Sequence, residues 1–181
     1  MTPRERVYAT LGFGGPDRIA RDLWGERRVG KLFSQEWSRV VERFPMDFDR
    51  SPSILGSSSR ADGDCSRPGT YTDDWGSVWE TLKGGVAGEV ICPALDDWKK
   101  LASFEPPHEM IENPALDTVE SFCHSTDTFR LGEVGPGPFE RLQFLRGATN
   151  LYLDLGEQPR ELAGLIDMLH RFYLAHVDLW C

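Results

Sequence analysis

At 181 residues the chain is long enough for one domain with a real core. Its 40% apolar and 27% charged content is ordinary for a globular protein, and no apolar run approaches the roughly 20 residues of a membrane helix. The net charge of −9 argues against nucleic-acid binding, which needs a basic surface to release counterions. The opening Met1-Thr2-Pro3-Arg4-Glu5-Arg6 is charged at once and has no apolar signal region, so a cytoplasmic location is the default expectation.

Thr2-Pro3-Arg4-Glu5 is a capping box with Pro at the first helical position. Val7, Leu11 and Tyr8 supply the stripe that this helix would bury, and Gly12 to Pro16 end it. Pro16 to Ile19 leads into a first strand or an extended lead-in. From Glu26 to Phe44, Val29, Leu32, Phe33, Trp37, Val40, Val41 and Phe44 recur at three and four and predict one long helix, stopped by Pro45. Met46 to Leu55 has room for a short strand. Gly56 to Thr70 is polar and aperiodic, the composition of a long mobile loop.

Val78 to Leu82, then Lys83-Gly84-Gly85, then Val86 to Ile91, reads as a β-hairpin. Ala94 to Phe104 is a short helix with Asp96 or Asp97 near its start and Trp98 and Leu101 on one face. Pro114 to Ser125 is helical, carrying Leu116, Val119, Phe122 and Cys123. Thr128 to Gly147 is a strand–loop–helix junction: Phe129 and Leu131 alternate, Gly135-Pro136-Gly137 breaks the strand, and Pro138 opens a helix that Gly147 ends. Ligands bind at such carboxyl-end junctions in α/β folds, although Gly and Pro also simply shape tight connections. From Pro159 toward Leu179, the residues Leu162, Leu165, Ile166, Leu169, Phe172, Tyr173 and Val177 form a wide apolar stripe. This order suits an α/β domain with parallel strands. Few strands are visible, and the chain stops on an apolar helix, so the rest of the fold is expected to lie beyond it.

The 16 arginines against four lysines suit carboxylate or phosphate ligands, and a coding bias gives the same count. The cysteines at 65, 92, 123 and 181 form no Cys-x-x-Cys pair and read as reduced thiols. No His-x-x-x-His pair exists; Cys123-His124 alone is a weak metal signal.

Several segments in order carry a family resemblance. They are Thr2-Pro3-Arg4-Glu5-Arg6-Val7 with Pro16-Asp17-Arg18-Ile19, and Asp74-Trp75-Gly76 with a following Trp-Glu strand and Gly88-Glu89-Val90. The Gly135 to Leu142 junction follows, then the Asp154-Leu155-x-Glu157-x-Pro159 helix entry. Together they resemble the uroporphyrinogen decarboxylase superfamily, in its divergent branch of decarboxylase-like and corrinoid-linked methyltransferase proteins. The resemblance implies the N-terminal half of a (β/α)8 TIM barrel with an inserted β-hairpin, residues 1–181 forming a partial barrel domain; complete barrels commonly need about 250 residues.

Two reactions are implied: methyl transfer or related one-carbon chemistry linked to a corrinoid protein, and decarboxylation of a tetrapyrrole's acetate groups. The methyltransferases bind zinc through His and Cys of the C-terminal half, so the resemblance implies no cofactor and no metal ligand in these residues. The Arg-Gln-Ala-Gly-Arg-Tyr segment of true decarboxylases is absent; the region of Arg18, Arg21 and Trp24 does not reproduce it. Methyl transfer is therefore favoured by a small margin, with a non-catalytic ligand-binding barrel as a third reading. The chain alone is expected to be inactive. A small-molecule substrate and a homodimer fit this reading; a membrane does not.

Asp73 and Asp74 are the candidate catalytic residues, because a carboxylate beside an aromatic wall suits proton transfer. The alternative is that Asp74 caps a turn and Trp75 is core. Trp75, Gly137, Phe139 and Arg141 are the candidate substrate-binding residues, although an ion pair is the more ordinary use of Arg141. Tyr152 either reaches the barrel mouth or packs.

Overall fold

A computed structural model describes residues 1–23, 27–82 and 88–181. In chain order it holds α1 (Pro3–Leu11), α2 (Arg27–Leu32), α3 (Ser34–Arg43), β1 (Phe48–Arg50), β2 (Gly69–Thr72), β3 (Val78–Thr81) and β4 (Glu89–Cys92). A 3-10 helix (Trp98–Ser103) follows, then α4 (Glu109–Glu112), α5 (Leu116–Ser125), β5 (Phe129–Leu131), α6 (Pro138–Arg146), α7 (Ala148–Glu157) and α8 (Arg160–Asp178). The expected helix start at Glu26, the motif position Trp24 and the hairpin turn Lys83–Gly85 with Val86 lie outside the described residues. Among the described residues the architecture is mixed α/β with two small sheets, not a closed barrel.

The chain divides into two units. Unit 1 comprises Met1–Ile54 and Ala115–Glu133, and unit 2 comprises Leu55–Pro114 and Val134–Cys181.

In unit 1, β1 and β5 pair in parallel, with Phe48 opposite Phe129 and Arg50 opposite Leu131. The capping box at Thr2 forms as read, the Thr2 side chain accepting from the Glu5 N–H. Of the three residues expected to be buried on α1, only Val7 is; Tyr8 and Leu11 are exposed. Arg6 is buried instead, because unit 1 places a carboxylate beside it. Asp47 is fully buried and accepts from Arg6, from Arg18 and from the Arg21 backbone N–H (2.7 Å). Burial alone would raise the Asp47 pKa, but these donors outweigh it and hold the carboxyl below its usual range. The segment after Pro16 is the extended lead-in, not a strand.

The single long helix expected up to Phe44 is two helices. Phe33 leaves helical geometry (φ −124°, ψ 45°), and α3 buries none of its residues. Of its periodic apolar residues, Trp37 and Val41 are half-buried and Val40 is exposed.

In unit 2 the expected hairpin strands pair antiparallel as β3 and β4, and β2 adds a third strand on the far side of β3. The segment read as a long mobile loop is tied down. Gly56 N–H donates to Met110 O, Ser58 is buried, and Asp62 exchanges two backbone hydrogen bonds with Thr72. Its last two residues, Gly69 and Thr70, belong to β2. The short helix after Ala94 is a 3-10 turn capped by Asp97, whose side chain accepts from the Lys99 N–H.

The core of unit 2 is Trp75, Leu95, Leu142, Leu145, Leu151, Leu162, Leu165, Leu169, Phe172 and Tyr173. Gly147 ends α6 and begins α7 at φ +76°, where a Cβ would also meet Pro93 Cγ at 3.0 Å. α8 runs within the limits read from its stripe. Ile166 and Val177 of that stripe stay partly exposed, because α6 covers only part of its width.

Candidate functional site

The site begins with a tight turn between β2 and β3. Asp73 N–H donates to Ser77 O, Gly76 N–H donates to Asp73 O, and Gly76 takes φ +85° to close the turn. The Asp73 carboxylate holds it from inside. Its Oδ1 accepts the backbone N–H groups of Trp75 (3.0 Å) and Ser77 (2.8 Å). Its Oδ2 accepts Trp79 Nε1–H (2.9 Å) and pairs with Arg141 Nη1 (3.3 Å). Ser77 Oγ then donates to Phe144 O of α6, which joins the turn to that helix.

Asp74 comes next in sequence and has the opposite surroundings. Its Oδ1 accepts the Ser58 N–H at 2.6 Å. No described residue donates to its second oxygen. Trp75, 3% exposed, packs edge-on to Phe172 with ring centroids 4.8 Å apart. The Arg141 guanidinium lies 4.7 Å from the centre of the Trp75 ring, within cation–π range.

These residues line a cleft of about 190 Å³. Asp73, Asp74, Trp75 and Arg141, read as candidates from sequence, meet there, together with Leu55, Met110, Gly135, Pro136, Phe172, Tyr173 and His176. Arg141 forms an ion pair with Asp73, 68 residues away along the chain, the ordinary use of such an arginine.

Gly137 and Phe139 are not part of the cleft wall. Gly137 caps α6, its N–H donating to Glu140 Oε2, and Phe139 is 48% exposed. Tyr152 is exposed and accepts from Gln143 Nε2.

Sequence reasoning missed His176. It follows Phe172 by four positions and Tyr173 by three, which places an imidazole on the buried face of α8. A polar residue on an otherwise apolar stripe was the available signal. His176 is 2% exposed, its Nε2 has no hydrogen-bond partner among the described residues, and burial pushes its pKa below the ordinary 6.5. The Tyr173 hydroxyl donates to Pro136 O. Burial raises the Tyr173 pKa, and the nearby Arg141 charge opposes that only in part. Arg141 Nε is likewise buried without a partner among the described residues.

Among the described residues no three His, Cys, Asp or Glu side chains gather as a metal-holding group. No described helix is long and apolar enough to cross a membrane. No family model matches the chain, and no curated protein or solved structure matches it with significance.

Proposed function

We propose that the chain is part of a uroporphyrinogen decarboxylase-superfamily enzyme of the cytoplasm that carries out methyl transfer or related one-carbon chemistry with a corrinoid protein. In this reading the parallel β1–β5 pair belongs to the N-terminal half of a (β/α)8 barrel, and the antiparallel sheet is its insertion. The observation that carries the proposal is the cleft, where Asp73, Asp74, Trp75 and Arg141 converge.

The two carboxylates divide the work. Asp73 is engaged by four donors and positions the turn. Asp74 keeps an oxygen for a substrate proton and acts as the acid or base. Arg141, stacked on Trp75, supplies the fixed positive charge. In this reading the zinc of the methyltransferases is held by the C-terminal half; among the described residues no zinc-holding group forms.

Methyl transfer is preferred to tetrapyrrole decarboxylation because the Arg-Gln-Ala-Gly-Arg-Tyr segment of true decarboxylases is absent.

The test is turnover by the complete polypeptide. Methyl transfer from a methylated corrinoid protein to an added thiol is followed by the corrinoid's visible spectrum, and loss of uroporphyrinogen III is followed in parallel. Methyl transfer is expected, with Asp74→Asn lowering the rate by about 100-fold or more. Consumption of uroporphyrinogen instead would establish the decarboxylase reading. Neither reaction would leave the ligand-binding barrel, and full activity in Asp74→Asn would remove the site assignment.

A further inference from the structure

The helix α8 carries a face that the described residues of unit 2 leave uncovered. Ile166, His170, Leu174 and Val177 of α8 line an apolar groove of about 240 Å³ with Pro138 and Leu142 of α6. Ile166, Leu174 and Val177 are exposed, Leu174 by 52%. A strip of charges runs beside this apolar one. Arg160, Asp167, Arg171 and Asp178 are all exposed, and at about 3.6 residues per turn they project within about 40° of one another. Their signs alternate along the helix. Asp167 and Arg171 have the one-turn spacing of a pair within a single helix, yet that pair does not form. Among the described residues none of the four charges has an ion-pair partner.

The order of the signs points to one occupant. Arg160 and Asp178 lie equally far on either side of Leu169, and so do Asp167 and Arg171. Set antiparallel against its own copy, with a twofold axis at the height of Leu169, the helix places every one of these arginines level with an aspartate. Antiparallel pairing also brings the same flank of the two helices together, so the charged strip of one copy meets that of the other. Each contact then occurs twice by symmetry. Parallel pairing in register would instead set each charge level with itself. The same axis puts Leu174 level with Gly164, where a Cβ would meet nothing within 4 Å, and Ala163 level with Ala175. A solvated strip places no constraint on the order of its signs, whereas an isologous contact does.

We propose that α8 is the interface of a twofold homodimer, pairing antiparallel with α8 of a second copy beside the groove it forms with α6. The inference goes beyond the reaction proposed above and does not rest on it.

The test is sedimentation velocity of the 181-residue chain at rising concentration, where a monomer–dimer equilibrium is expected. Arg171→Asp and Asp167→Arg each turn two attractive contacts into two repulsive ones, and each should raise the dimer Kd at least about tenfold. The double variant Asp167→Arg/Arg171→Asp keeps the antisymmetry and should return the Kd to within about threefold of the unaltered chain. At positions 167 and 171 one single variant carries two positive charges and the other two negative. An equimolar mixture of the two should therefore form a one-to-one heterodimer, which a merely structural role for these residues does not produce.

A chain that stays monomeric at every concentration would overturn the proposal. So would single variants that dimerise as the unaltered chain does, or weakened single variants that fail to recover on mixing. If a single variant fails to fold, the double variant decides: a dimer as tight as that of the unaltered chain supports the antiparallel pairing, and a monomer removes it.

Discussion

Replacing Asp73 by Asn separates a structural carboxylate from its neighbour in a single substitution. Asp73 has acceptors on both sides: two backbone N–H groups on Oδ1, and Trp79 Nε1–H with Arg141 Nη1 on Oδ2. An amide has only one oxygen. In either orientation its NH2 group faces two donors, which lose their acceptor. The side chain is only 14% exposed, so water does not replace the loss. Each buried donor left unmet costs about 1–3 kcal/mol, which puts Asp73→Asn near 3 kcal/mol. Asp74→Asn has one accepted bond to keep, from the Ser58 N–H, and the amide oxygen keeps it; about 0.5 kcal/mol is expected. The assay is urea unfolding followed by tryptophan fluorescence, since unit 2 carries Trp75, Trp79, Trp98 and Trp180. A shifted midpoint at constant m reads the stability difference directly. If Asp73→Asn lies within about 0.5 kcal/mol of wild type, or Asp74→Asn costs as much, the division of roles between the two carboxylates is refuted.

Two further outcomes follow from buried charges in unit 2. Arg146 pairs with Asp154 (2.8 Å), lies 3.9 Å from the Trp98 ring centre and donates to Leu95 O, so Arg146→Ala strands a buried carboxylate. A loss of about 3–5 kcal/mol is expected in the same assay, and a loss below about 1 kcal/mol would show that the pair is not a buried one. His176 is held neutral below its ordinary pKa of 6.5, so on unfolding it takes up a proton that the folded chain does not bind. Stability therefore falls as pH drops below about 6.5, and His176→Gln removes that part of the slope. Urea midpoints at pH 7.5 and 5.5 compare the two proteins, and parallel losses would contradict the burial of a neutral imidazole.

Local signals were legible where one short segment decides its own conformation. The capping box at Thr2, the Pro138 start of α6 and the limits of α8 follow from caps, proline and a stripe within the segment itself. The strands β3 and β4 were equally readable from their β-formers. The break at Phe33 was not, because periodicity describes a face without saying whether anything covers it. The helix α7 was hidden behind Gly147, which ends one helix and starts another at the same residue. The polar segment after Gly56 looked mobile because its partners, Met110 and Thr72, lie far along the chain.

Part of the cleft was also visible beforehand. Asp73, Asp74 and Trp75 form a motif within three residues, and Arg141 stands near a glycine–proline junction, so their residue types alone made them candidates. What each one does was decided only by the tertiary structure. Adjacent carboxylates have the same chemistry in sequence, yet one meets four donors and the other a single backbone N–H. His176 entered the site only because α8 turns that face inward. The sequence by itself determined which chemical groups were available and where α1, α6 and α8 begin, since those starts depend on neighbours within a few residues. Which groups are engaged and which are left with open valences depends on contacts between residues up to 68 positions apart, and only the folded chain brings those together.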